Sequence, residues 1–208
     1  MTTDFYNLLL SDCVLALVLL ALFWYVSRIS RGLRGIALWG VAHVAYSLGA
    51  SMLDGTSQEL ARTGNLSATY WIAGLGGLLA CAGLAALAWS IILFVQQRAL
   101  TVGERLLMPL CLAFSLAAWI GRGTVDAQGA AMSAAEVLAL VIMLWHLRRL
   151  DVVPYRLPAR LMMAGCVVLS ALYARDLWQA MGNNYGPNED WVNIDLSTWY
   201  LMNFCMLM

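Results

Sequence analysis

Ionisable and aromatic side chains inside otherwise apolar stretches are the residues of this sequence that could do chemistry. Such groups are costly in lipid, so they are expected to face other helices or a water-filled cleft. Arginine can hold a carboxylate or phosphate through two hydrogen bonds, and nearby aromatic rings can cover an apolar tail. The pattern predicts a site, open to the outside, for a ligand with an anionic head and an apolar body. Its predicted residues are His43, Tyr46, Trp119, Arg122, Glu136, Tyr173, Arg175 and Asp176.

The same residues also fit a purely structural interpretation, which stays open at this point. Arg175 and Glu136 would then pair and hold two helices together, without any ligand. The aromatic residues would be those common at every membrane interface.

Cofactor chemistry depends mainly on the two histidines, His43 and His146. A haem with two histidine ligands needs them at comparable depth on facing helices. Counted along a helix, His43 lies about 18 Å from Arg31, whereas His146 lies about 5 Å from Arg149. The depths differ, so only a single axial ligand, His43, remains as a haem hypothesis. The alternative is a hydrogen-bonded His43 that contacts a ligand or a neighbouring helix.

Two further classes of chemistry are excluded by residue types. All twelve basic residues are arginine, so a retinal Schiff base on lysine cannot form. The five cysteines fall in five separate apolar stretches, which is typical of packing residues, and no Cys/His cluster has metal-ligand spacing. No metal site is therefore predicted.

The elements that must position these residues are transmembrane helices. The chain is 62% hydrophobic and 12% charged, which is typical of an integral membrane protein. About 20 apolar residues in a helix cross a bilayer. The sequence predicts an all-α bundle of seven transmembrane helices in the ranges 8–26, 34–53, 70–95, 106–121, 130–147, 161–181 and 193–208.

Short residue patterns predict how the segments pack and how they are connected. Ala73, Gly77, Cys81 and Ala85 recur every four residues, a pattern that lets another helix approach closely. The stretch GNNYGPNEDWVNID is polar enough to be predicted as a loop, and LDVVPYRLPAR as a linker.

Arginine placement predicts the orientation. Nine of the twelve arginines fall in the first, third and fifth connections, which should face the cytoplasm of a bacterial inner membrane. The amino terminus is then outside and the carboxyl end inside. No arginine follows the last segment, so we expect the chain to continue beyond Met208.

Three stretches carry a resemblance to a known family: SRISRGLRGIALWGVAHVAYSLGASMLDG, GGLLACAGLAALAWSIILFVQQR and WHLRRLDVVPYRLPARL. They resemble the multi-span amino-terminal regions of bacterial membrane-anchored diguanylate cyclases, the GGDEF proteins. The resemblance implies a sensor region whose last helix leads to a cytoplasmic domain that makes cyclic di-GMP, and it implies a homodimer through that output domain. No GGDEF motif occurs in the chain, so no catalytic residue is carried over and the chain itself is not predicted to be an enzyme.

Two functions are therefore expected from the sequence. The first is a membrane sensory module that binds a small molecule or lipid from the periplasmic side and has no nucleic-acid partner. The alternative is a haem- or quinone-binding, or structural, subunit of a membrane redox complex.

Overall fold

The computed structural model describes residues 2–30, 33–56, 60, 63–121, 125–150, 152–181 and 189–208. Regular structure within these ranges is entirely helical, which confirms the predicted all-α class. The seven long helices are α1 (Thr2–Ile29), α2 (Ile36–Ala50), α3 (Leu66–Gln96), α4 (Leu107–Gly121), α5 (Val125–Leu147), α6 (Arg156–Met181) and α7 (Glu189–Leu207). Shorter pieces are a π-helical segment (Ser51–Thr56), a one-turn helix (Val102–Arg105) and a 3-10 turn (Val153–Tyr155).

Each of the seven predicted segments is helical, but two predicted connections are wrong. The linker before the sixth segment is already helical from Arg156, because Pro158 lies in the first turn, where no backbone N–H is needed. The second half of the predicted polar loop is also helical, from Glu189 onward. Acidic residues favour a helix start, so polarity there did not mean a loop.

Among the described residues, five helical ranges are long and apolar enough to cross a membrane: Ile36–Leu53, Leu66–Gln96, Val102–Gly121, Ala127–Leu147 and Arg156–Gln179. The apolar part described for α1, Cys13–Ile29, is shorter. Length and composition therefore make this an all-helical, membrane-embedded protein.

Six of the helices form a closed ring. Contacts between neighbours run in the order α1, α2, α3, α5, α6 and α7, and α7 packs back on α1. Helix α4 lies outside this ring against α3 and α5. Side chains on the inner faces of ring helices can therefore meet across the bundle.

Helix α3 packs closely against neighbours on two sides through glycines. A Cβ atom on Gly77, within the predicted small-residue stripe, would lie 2.4 Å from Oε1 of Gln128 on α5. On another face, a Cβ on Gly83 would lie 2.5 Å from the backbone nitrogen of Tyr46. The contact at Gly83 is with backbone, so only a residue without a side chain allows it, whereas the contact at Gly77 is with the end of a flexible side chain. The predicted small-residue stripe is buried, and close approach of a helix along it stays a prediction.

Candidate functional site

Polar side chains from four helices meet inside the ring and form what we call the buried polar cluster. Most members are almost fully buried; Glu136, for example, is 1% exposed. Polar groups at such a place in a membrane bundle need partners, since lipid supplies none. The cluster comprises Trp39, His43 and Tyr46 on α2, Glu136 on α5, Tyr173 on α6, and Asp195, Trp199 and Asn203 on α7.

Helical spacing explains why α2 and α7 each contribute three residues. Asp195, Trp199 and Asn203 are four residues apart along α7, so they form one stripe on a single face. The α2 residues, at positions 39, 43 and 46, form a matching stripe. Trp39 pairs with Asn203, whereas Tyr46 packs on Trp199, so the two stripes run antiparallel.

Four cluster residues form a continuous line of side-chain oxygens, which we call the oxygen chain. The Tyr46 hydroxyl oxygen lies 2.7 Å from Oε1 of Glu136 and 2.9 Å from the Tyr173 hydroxyl oxygen. The Tyr173 oxygen lies 2.5 Å from Oδ1 of Asp195. The oxygen chain thus runs from α5 through α2 and α6 to α7.

The indole of Trp199 covers the oxygen chain and binds it. Its Nε1–H donates to the Tyr173 hydroxyl oxygen over 2.9 Å. The same indole packs on two rings of α2, with centroids 5.1 Å from the Tyr46 ring and 6.1 Å from the His43 ring. Trp199 therefore contacts both the oxygen chain and His43.

Trp39, His43 and Asn203 form the rest of the cluster. Their donor and acceptor roles follow from the indole of Trp39, which can only donate. Its Nε1–H donates to Oδ1 of Asn203 over 2.7 Å, which leaves the Asn203 Nδ2 group facing Nε2 of His43 at 3.0 Å. An amide N–H needs an acceptor there, so Nε2 of His43 carries no proton. His43 is consequently a neutral imidazole with its proton on Nδ1.

The structure brings together four of the residues predicted from sequence: His43, Tyr46, Glu136 and Tyr173. Helix α5 begins at Val125, earlier than the predicted span, so Glu136 lies eleven residues from either end of this helix. The carboxyl is thus at mid-helix, deeper than the sequence indicated.

Arg175 and Asp176 are half-buried on α6, just beyond Tyr173. Asp176 is three residues from Tyr173 and shares its face, whereas Arg175 is two residues away and lies on another side of the helix. Arg122, the other predicted arginine, lies outside the described residues.

Trp119 belongs to a separate aromatic group. Its ring centroid lies 5.8 Å from that of Tyr70 and 5.4 Å from that of Trp71, both near the start of α3. Its Nε1 is buried and has no hydrogen-bond partner among the described residues. Trp119 is therefore not a wall of the cluster around Tyr173.

Sequence reasoning missed four cluster residues: Trp39, Asp195, Trp199 and Asn203. Asp195 was assigned to the polar loop, and the other three were not considered as site residues. The four-residue spacing of Asp195, Trp199 and Asn203 was the signal that could have identified them, because it places polar groups on one helical face.

The second histidine has a different environment. Nδ1 of His146, at the end of α5, lies 2.7 Å from Nε2 of Gln96 at the end of α3. Within the ranges the structure describes, no group of three or more His, Cys, Asp or Glu side chains is placed to hold a metal ion.

Comparison with known proteins finds no matching family model, no matching curated protein and no matching solved structure.

Proposed function

We propose that this chain is the sensory input module of a bacterial signalling protein in the inner membrane, with α7 carrying the signal. The observation that carries the proposal is that α7 supplies three of the eight residues of the buried polar cluster. A signal in this proposal passes from α7 to a cytoplasmic output domain of the diguanylate cyclase kind, in a homodimer.

The contacts of α7 give this role a physical basis. Its side chains bind α2 and α6 through hydrogen bonds, while its backbone packs on α6 and α1. A ligand or proton that changes the hydrogen bonds of the cluster would favour one position of α7 over another. That difference in affinity between two arrangements is how a ligand shifts an output.

The proposed topology has seven spans, with the amino terminus outside and the last helix ending inside. Two hydrogen bonds support it, because they join the ends of helices that carry arginines. The Arg34 N–H donates to Oε1 of Gln97 over 3.2 Å, and Gln96 contacts His146 over 2.7 Å. The first, third and fifth connections therefore meet at one end of the bundle, as the positive-inside rule requires.

The proposed ligand is a small molecule or lipid with an anionic head that enters from the periplasmic side. Arg175 is the described cation nearest in sequence to the cluster, and Asp176 shares the face of Tyr173. Arg175 lies six residues from the end of α6, and a guanidinium can bind a carboxylate or phosphate head through two hydrogen bonds.

In the redox alternative, His43 would bind a haem iron instead of a neighbouring side chain. A haem iron bound through Nε2 would need the lone pair that accepts from Asn203 in this structure. A visible absorption spectrum of the purified protein tests this alternative, since a Soret band would favour a haem subunit and replace the sensor proposal.

The ligand step is tested with decanoate, which has a carboxylate head and an apolar tail. The thermal unfolding midpoint of the full chain in detergent should rise with decanoate and stay unchanged with decanol, its uncharged analogue. Arg175→Gln should remove the effect of decanoate, whereas Arg160→Gln, near the start of the same helix, should keep it. Equal stabilisation of both variants would overturn the assignment of the anionic head to Arg175.

The signalling step is tested separately by the position of α7. Spin labels at Ile29→Cys and Met208→Cys, which are 63% and 54% exposed, report the distance between the ends of α1 and α7. Decanoate should shift this distance in the otherwise unchanged protein and not in Arg175→Gln. An unchanged distance in a protein that decanoate stabilises would contradict signalling through α7.

A further inference from the structure

The oxygen chain contains three oxygen–oxygen contacts but only two hydroxyl hydrogens. The contacts join Glu136 to Tyr46, Tyr46 to Tyr173, and Tyr173 to Asp195, at 2.7, 2.9 and 2.5 Å. Each is of hydrogen-bond length, and each needs one hydrogen between its two oxygens. A tyrosine hydroxyl has one hydrogen, and an ionised carboxylate has none.

The contact between the two tyrosines decides how many hydrogens the carboxyls must supply. If Tyr46 donates to Tyr173, it has no hydrogen left for Glu136, so the Glu136 carboxyl must donate instead. If Tyr173 donates to Tyr46, the same argument requires a hydrogen on Asp195. With both carboxyls ionised, the two hydroxyl oxygens would face each other at 2.9 Å in a buried contact, without a hydrogen between them.

We propose that Glu136, Tyr46, Tyr173 and Asp195 form a binding site for one proton, which the two carboxyls share. The proposal does not depend on the signalling role above, since it uses only the positions and hydrogen inventory of these side chains. The hydrogen bond of Trp199 is compatible with the shared proton. Its Nε1–H donates to the Tyr173 oxygen, which can still accept one more hydrogen bond, from Tyr46 or from Asp195.

The site has two arrangements that conserve protons and charge. In the first, Glu136 carries the proton and donates to Tyr46, Tyr46 donates to Tyr173, and Tyr173 donates to an ionised Asp195. Conversion moves one proton across each contact, so three O–H bonds break and three form. In the second, Asp195 carries the proton and Glu136 the negative charge.

This exchange would move a negative charge between α5 and α7 without moving a helix. The proton itself enters from water when the site is filled. Other titratable and charged groups on the elements around the site include His43 on α2, Cys81 on α3, and Arg175 and Asp176 on α6.

Amide substitutions test the shared proton, because a carboxamide supplies the N–H that the chain needs without a titratable proton. Glu136→Gln should donate to Tyr46 and leave Asp195 ionised. Asp195→Asn should donate to Tyr173 and leave Glu136 ionised. Both variants of the full chain should therefore fold, and failure of both to fold would overturn the proposal.

The readout is the infrared carbonyl absorption of protonated carboxyl groups at pH 7, identified by its shift in deuterated buffer. Each single variant should lose the absorption of one carboxyl, and the double variant should lose no more than either single one. Asp176→Asn is the matched control and should lose none.

Three outcomes of the infrared measurement would also overturn the proposal. No loss in either single variant would mean that both carboxyls are ionised. A loss of two carboxyls in the double variant would mean that each carries its own proton. A band that is lost only in Asp176→Asn would place the proton outside the oxygen chain.

Discussion

The hydroxyl oxygens of Tyr46 and Tyr173 lie 2.9 Å apart, and this contact joins a carboxyl on α5 to a carboxyl on α7. Neither tyrosine is near the other in sequence, and each comes from a different side of the helical ring. The contact is therefore a product of the whole bundle, and it gives the cluster its continuity. The predictions below test the cluster, the packing that positions it and the topology around it.

Removing the Tyr173 hydroxyl should be strongly destabilising. In Tyr173→Phe, the groups that contact this oxygen on Tyr46, Asp195 and Trp199 lose their partner. A buried polar group left unsatisfied costs about 1 to 3 kcal/mol, so the unfolding midpoint in detergent should fall clearly. Tyr25→Phe, at a side chain 64% exposed, is the control and should change little. Equal effects of the two variants would contradict a structural role for the hydroxyl.

The pair Trp39 and Asn203 should be coupled. Asn203→Leu leaves the indole N–H of Trp39 buried without its acceptor, at a cost of about 1 to 3 kcal/mol. Trp39→Phe removes that donor, so the double variant should be less destabilised than the sum of the two single variants. Unfolding measurements on all four proteins give the coupling. Strict additivity would show that the hydrogen bond contributes nothing.

His43 should be neutral with its proton on Nδ1, because Nε2 accepts from the Asn203 amide. The nitrogen chemical shifts of the imidazole report the tautomer directly. The variant His146→Asn leaves His43 as the single histidine, which makes the assignment unambiguous. A proton found on Nε2 would mean that the Asn203 amide is turned the other way.

Close packing of α2 on α3 should be required to place Tyr46. Gly83→Ala would push a methyl group against the Tyr46 backbone nitrogen, and overpacking of this kind costs about 1 to 3 kcal/mol. Gly103→Ala is the matched control, since a Cβ there meets nothing within 4 Å. A Gly83→Ala protein as stable as the control variant would show that the two helices separate easily.

Thiol labelling tests the orientation. A cysteine at Thr63, before α3, should react with an impermeant reagent in cells whose outer membrane has been opened, and a cysteine at Val102 should not. Both positions are exposed, so access depends on the side of the membrane. The unsubstituted protein, whose described cysteines are buried or half-buried, gives the background. The reverse pattern would invert the proposed topology.

The amino-acid sequence alone determined the helical, membrane-embedded class, the approximate position of every long helix, and the inward face of α2 with His43 and Tyr46. Hydropathy and spacing along one helix carry this information, because lipid imposes it on each segment separately.

Only the tertiary structure decided which of these faces meet. Hydropathy contains no record of which helices are neighbours, so the contact between Tyr46 and Glu136 could not be predicted from it. Asp195 was assigned to the polar loop, because the stretch that precedes it is the most polar of the chain. In the folded ring the Tyr173 hydroxyl contacts Asp195, and this half-buried carboxyl shares a face of α7 with the buried Trp199 and Asn203.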